Sequence, residues 1–258
     1  VTSAAEQWAF DLARWGIPEE ILAQAPVSPW IHPPVLFDVP AVIETNPSHE
    51  AARTALGEGG SLLDVGCGGG MATLAVAPAI KYATGVDTHD EMLAMYQRNT
   101  AARQVVANTV RGEWPSAAPM CGVHDVVVCH HVAYNVSDIT PFVRALTASA
   151  RRRVVVELPL VHPLATLSPA WAAFWGLDRP QGPVASDFVA VVSDTGVVPH
   201  VTEFRAPLRN ESDDDLAVVH MRTRLCLRPD RDDDVREWLR THPAPTERAL
   251  VTVWWDVE

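Results

Sequence analysis

The chain has 258 residues, 48% of them hydrophobic, which is enough for one large domain or two small ones around a sizeable core. Its 20 basic against 32 acidic residues leave a net charge of −12, which argues against a chain built to neutralise a nucleic-acid backbone. No apolar run approaches the length of a membrane span, the start has no signal-peptide pattern, and the four cysteines (Cys67, Cys121, Cys129, Cys226) form no C-x-x-C pair, so the expectation is a reduced, cytoplasmic protein without a zinc site.

In chain order, "SAAEQWAFDLARWGIPEEILAQAP" places Ala5, Trp8, Ala9, Leu12 and Trp15 on one helical face. Gly16 can end that helix and Pro18 can start the next. "SPWIHPPVLFDVP" is proline-rich and reads as an extended, ordered loop, so residues 1–45 form an N-terminal helical cap. From residue 48 helices and strands alternate. "SHEAARTAL" is a helix capped by Ser48, "SLLDVG" a buried strand, "MATLAVAPAI" a helix and "YATGVD" a strand. "DEMLAMYQRNTAARQ" is a helix, "NTVRG" and "HDVVVCHHV" are strands, "ITPFVRALTASA" is a helix and "RRRVVVELP" a fifth strand. Apolar strands separated by amphipathic helices predict a parallel sheet covered on both faces. An insertion rich in Pro and Trp occupies about 160–185. "SDFVAVVSDTGVVPHVTEF" returns to helix and strand. The acidic runs of 209–247 read as first turns of inserted helices, where carboxylates complement the dipole, and "ALVTVWWDV" is the last strand.

The chemistry starts at "LLDVGCGGGM", residues 62–71. Glycine permits tight turns and close approach to the backbone, and ligands of open α/β sheets bind at the carboxyl ends of strands. The dinucleotide pattern G-x-G-x-x-G fails: its last position falls on Met71 counted from Gly66, and on Thr73 counted from Gly68. The pattern present is D-x-G-x-G-x-G over Asp64, Gly66, Gly68 and Gly70. Asp87 ends the second strand in "GVD", where a carboxylate can accept both hydroxyls of a ribose. "GEW", residues 112–114, follows the third strand.

Taken in this order, the three motifs resemble the class I S-adenosylmethionine-dependent methyltransferases over about residues 50–205. The resemblance implies an α/β fold, a doubly wound, seven-stranded, mostly parallel sheet whose last strand, near 249–257, runs antiparallel. It implies S-adenosyl-L-methionine as cofactor, S-adenosyl-L-homocysteine as product, and no metal. It places Asp64, Gly66, Cys67, Gly68 and Gly70 around the methionine portion, Asp87 and Thr88 at the ribose, Glu113 and Trp114 near the adenine, and the backbone of His130 along the cofactor. Substrate-facing residues are expected after the fourth strand, in "CHHVAYNV". His130 and His131 are candidate general bases, against the plainer reading of two loop histidines. Tyr134 and Asn135 are candidates to position a polar group, and Glu157 and His162 are weaker candidates.

The functional expectation is methyl transfer to a small organic molecule by a monomer or homodimer. The alternatives are a methyltransferase acting on a protein or tRNA and a cofactor-binding protein without activity. Trp8, Trp15 and Trp30 in the cap, with Trp171 and Trp175 in the insertion, suggest a lid in which residues 1–40 and 162–183 meet, with "WIHPPVLF" (30–37) nearest the cofactor.

Overall fold

The computed structural model describes residues 2–30, 37–208 and 214–257. Seven strands are present: β1 (Gly60–Val65), β2 (Ile80–Asp87), β3 (Ala107–Arg111), β4 (His124–His130), β5 (Ala150–Pro159), β6 (His200–Pro207) and β7 (Glu247–Asp256). They form one sheet in the order β3-β2-β1-β4-β5-β7-β6. All pairings are parallel except the two made by β7, as the sequence predicts. The winding reverses between β1 and β4, the position where such sheets bind ligands.

Eleven helices are described: α1 (Ala4–Ala13), α2 (Glu19–Leu22), α3 (Pro47–Leu56), α4 (Met71–Ala75), α5 (Asp90–Ala102), α6 (Ala118–Cys121), α7 (Ile139–Ala148), α8 (Ser168–Trp175), α9 (Ala185–Asp194), α10 (Asp214–Arg224) and α11 (Asp232–Thr241). Strand alternation sorts the core into two layers. Leu63, Val65, Val127, Val154 and Val156 point to one face, where Phe142 and Leu146 of α7, Phe188 and Val192 of α9 and Trp8 of α1 cover them. Leu62, Val126, Val128 and Val155 point to the other, under Ala52 and Leu56 of α3 and Ala72 of α4. A third apolar cluster joins Ile21, Trp171, Val218, Leu225 and Val235, drawn from α2, α8, α10, α11 and the turn after α10.

Two local expectations are corrected. α3 is capped by Asn46, whose side chain accepts from the His49 N–H; Ser48 lies inside the helix, fully buried and 2.7 Å from the Thr252 hydroxyl. The helix expected over 71–80 stops at Ala75, because Pro78 starts a separate 3-10 turn over Ala77–Ala79. Trp8 of α1 is fully buried in the main core, against Tyr134 and Phe188.

Candidate functional site

Three loops meet at the carboxyl edge around the winding reversal. The first follows β1. Gly66, Gly68 and Gly70 have φ of 71°, 49° and 93°, a region that side chains disfavour, so the glycines permit the turn itself. They also permit close approach. A Cβ at Gly66 would lie 2.4 Å from Cγ2 of Val132, and one at Gly69 would lie 2.1 Å from the carbonyl oxygen of Phe37. The Gly66 and Cys67 amides donate to the Val86 carbonyl, and the Gly68 amide donates to Asp87 Oδ2 at 3.1 Å. Three amides are thereby spent fixing the loop to β2.

Below the loop, Asp64 is 2% exposed and accepts from the Thr73 hydroxyl at 2.7 Å; that hydroxyl lies 3.0 Å from Tyr96 Oη. Burial pushes the Asp64 carboxyl up to about 6, opposed by the Thr73 hydrogen bond. Cys67 is buried beside it, and burial also raises its thiol, so it is a packed thiol and not a nucleophile. Asp87 accepts from two backbone amides, Gly68 and His89. Thr88 is exposed and bonded to His89 Nδ1 at 2.9 Å. Glu113 is exposed, whereas the Trp114 indole is buried and donates to the Phe142 carbonyl at 3.3 Å.

The loop after β4 holds the expected substrate-side residues. His130 and Glu157 are register partners on β4 and β5, hence on one face of the sheet. Burial lowers the His130 imidazole to about 4, against the nearby Glu157 charge, so the ring is neutral at pH 7; its Nε2 is buried without a hydrogen-bond partner. His131 has a φ of 62°, a conformation costing a non-glycine residue about 1–2 kcal/mol. Its amide donates to the Glu157 carbonyl at 2.7 Å and its Nε2 lies 3.0 Å from Glu157 Oε1. Asn46 donates to Glu157 Oε2 at 2.9 Å. Burial of Glu157 opposes its ionisation, but His130 and His131 outweigh that and hold it well below the usual carboxylate range. Tyr134 is 5% exposed, stacks on Trp8 at 5.3 Å and donates to the Pro159 carbonyl at 2.9 Å. Asn135 ends the short turn that follows.

The sequence reading missed Asn46, His49, Thr73 and Tyr96. His49 stacks near His130 with ring centroids 6.1 Å apart. Position three of a helix-start N-x-x-H was a local clue to Asn46 as a cap, but nothing local ties it to Glu157, 111 residues away. His162 is stacked on Trp15 at 4.0 Å and meets Tyr134 edge-on, in an aromatic group joining the cap to the insertion. Arg179 strengthens that junction by donating to the Trp15 and Gly16 carbonyls, and the Trp15 indole donates to Gly182. Trp15 and Gly16 are thus in direct contact with His162, Arg179 and Gly182. Most of the stretch "WIHPPVLF", residues 31–36, lies outside the described residues. Among the described residues no group of His, Cys, Asp and Glu is arranged to hold a metal ion, and no helix is long and apolar enough to cross a membrane.

Residues 63–153, from β1 to β5, match a family described as a methyltransferase domain. The fold resembles the YcgJ protein from Bacillus subtilis, at 16% identity and TM-score 0.55, covering 82% of this chain and 98% of that one. It also resembles the precorrin 8w decarboxylase of Methanobacterium thermoautotrophicum, at 16% identity and TM-score 0.51, covering 94% and 100%. TehB from Haemophilus influenzae gives 11% identity and TM-score 0.54, covering 85% and 64%. No curated protein matches the chain. A decarboxylase among these likenesses underlines that they establish the fold alone. The matched domain lies on the part of the chain that carries the three loops, and the fold around it is a Rossmann-like α/β fold.

Proposed function

We propose that this chain is a class I S-adenosylmethionine-dependent methyltransferase acting on a small organic molecule, taking the methyl group from S-adenosyl-L-methionine and releasing S-adenosyl-L-homocysteine. The observation that carries the reading is the path of the N-terminal segment. Trp8 donates to the Val136 carbonyl after β4, Trp15 stacks on His162 after β5, and Phe37 lies against Gly68 and Gly69 after β1. Residues on either side of 31–36 therefore touch the loops after β1, β4 and β5 at the carboxyl edge. A covered edge suits an acceptor small enough to be enclosed and keeps water from the reacting centre. The net charge of −12 disfavours a polyanionic acceptor. The same reading treats residues 1–45 and the insertions near 160–185 and 209–247 as the acceptor-side cap.

The cradle fits the donor. Gly66, Cys67, Gly68 and Gly70 are the residues that would hold its methionine portion, and the buried Asp64 holds the helix after that loop in place through Thr73. Asp87 keeps lone pairs beyond its two backbone donors for the ribose hydroxyls, with Thr88 beside it. Glu113 and the edge of Trp114 flank the adenine side, and His130 lies toward the methyl end. The donor supplies a methyl already activated by its sulfonium sulfur, so the chain's share is alignment, which can supply about 7–11 kcal/mol. Of the residues after β4, Tyr134 has its hydroxyl committed to Pro159 and serves as a wall, while His131 keeps contact with solvent.

Methyl-labelled donor offered in parallel to a metabolite extract, a protein pool and a tRNA pool tests the reading. Label is expected in the metabolites. Label confined to protein or tRNA would overturn it.

A further inference from the structure

We propose that β6, the outer strand of the sheet, pairs antiparallel with β6 of a second copy of this chain, joining the two seven-stranded sheets edge to edge. The pairing goes beyond the proposed methyl transfer and holds whatever the acceptor is.

β6 ends the strand order, so one side of it has no neighbouring strand among the described residues. Sheet edges are commonly guarded by lysines, bulges or very short strands, because an open row of N–H and C=O groups pairs with any matching chain. β6 has eight residues, no lysine and an unbroken register against β7. The β7 ladder fixes which of its residues offer their backbone outward. The Leu208 amide donates to the Thr246 carbonyl at 2.8 Å, and these two continue the pairing of Pro207 with Glu247. Antiparallel residues turn alternately toward a neighbour and away from it, so Val201, Glu203, Arg205 and Pro207 turn their backbone groups outward. Pro207 falls in the outward set, where its missing N–H costs the β7 ladder no bond.

A second β6 is the strand that fits this edge. In a two-fold antiparallel pair, opposed residues share a face, so the residue numbers of every opposed pair add to one even constant. With the axis at Phe204, Glu203 of each copy lies opposite Arg205 of the other, and each such pair exchanges both N–H···O bonds. Phe204 lies opposite itself in the closer, non-hydrogen-bonded pair, and Val201 lies opposite Pro207. Opposite charges and aromatic pairs set directly across from one another stabilise a sheet. Moving the axis one residue either way opposes Glu203 to Glu203 or Arg205 to Arg205, which is repulsive. Charge therefore selects both the partner and the register.

Both charges are available for this. Among the described residues Glu203 makes no ion pair, and Arg205 reaches Glu247 at 4.0 Å with the two side chains 71% and 53% exposed, a pairing of little worth. The strand brings one acid and one base to the contact, so the net charge of −12 is not concentrated there. Val201 also lines an apolar groove of about 390 Å³ with Val161, Val184, Val189 and Val251, so each Val201–Pro207 end adds apolar contact beside the ladder.

Sedimentation equilibrium from about 1 µM to about 1 mM, the range suited to a contact of this modest size, should show a monomer–dimer equilibrium. Glu203→Arg and Arg205→Glu should each weaken the dimer by about tenfold, since two pairs change sign, and the double variant should return it to within about threefold of wild type. Both side chains are exposed, so the variants keep the fold, which circular dichroism checks. Under mild oxidation Phe204→Cys should cross-link to its own copy while Glu203→Cys should not; the native cysteines Cys67, Cys121, Cys129 and Cys226 are all buried. A chain that stays monomeric throughout, a dimer indifferent to both charge reversals or not rescued by the double variant, or growth beyond the dimer would overturn the pairing. Cross-linking through Glu203→Cys in place of Phe204→Cys would overturn the register.

Discussion

Asp64 shows how one residue serves the site at a cost to stability. It lies buried under the glycine loop, where desolvation raises its carboxyl to about 6. The folded chain then binds the Asp64 proton more tightly than the unfolded chain, so this contribution is full below about pH 4 and is lost as pH rises towards 6. Asp64→Asn keeps an acceptor for Thr73 and buries no charge. Denaturant titration should find it more stable than wild type at pH 7.5, by up to about 3 kcal/mol, with the gap closing towards pH 4. A gap that does not vary with pH would refute the account of this residue. At this scale the sequence was readable where the determinants are contiguous. Asp64, the glycines and Asp87 sit in short local patterns next to strand ends. The Glu157–His131 pair was not readable, because it depends on the β4–β5 register and on one left-handed backbone angle that no neighbouring residue announces.

At the scale of elements, the cap has two kinds of attachment. α1 is fastened through Trp8, which is fully buried in the main core, while Trp30, also in the cap, is 50% exposed. Trp8→Ala should cost about 3–5 kcal/mol, whereas Trp30→Ala should stay within about 0.5 kcal/mol. Thermal or urea unfolding of the two variants compares them directly, and equal losses would mean that burial has been misjudged. The periodicities of the strands and of α1, α5, α7 and α9 were plain in the sequence, since each buries one regular face. The third apolar cluster was not. Ile21, Trp171, Leu225 and Val235 come from four distant stretches whose individual patterns say only that each needs a partner. The Asn46 cap was displaced in the reading by Ser48 for a similar reason: both are good caps, and Thr252, 204 residues away, claims the serine.

The whole molecule should lose stability on mild acidification. Burial lowers His130 and His162 to about 4, and lowers His49 and His124 as well. For each, the unfolded state binds more protons, so stability is full above about pH 6.5 and is lost as pH falls towards the folded value; a fully shifted histidine such as His130 accounts for about 3 kcal/mol. Asp64 acts in the opposite sense over part of this window, but it is one group against four. The urea midpoint should therefore drop between pH 7.5 and pH 5, and a level or rising midpoint would contradict this balance.

The central claim is that the loop after β1 and the carboxylate ending β2 form a seat for S-adenosylmethionine. Calorimetric titration tests it most directly. The account predicts saturable binding of S-adenosylmethionine and S-adenosylhomocysteine, none of NAD at the same concentrations, and a loss of about 1.5–3 kcal/mol in Asp87→Ala, the worth of hydrogen bonds to a charged group. Absence of binding by the folded wild-type chain, or equal affinity in a folded Asp87→Ala variant, would contradict it.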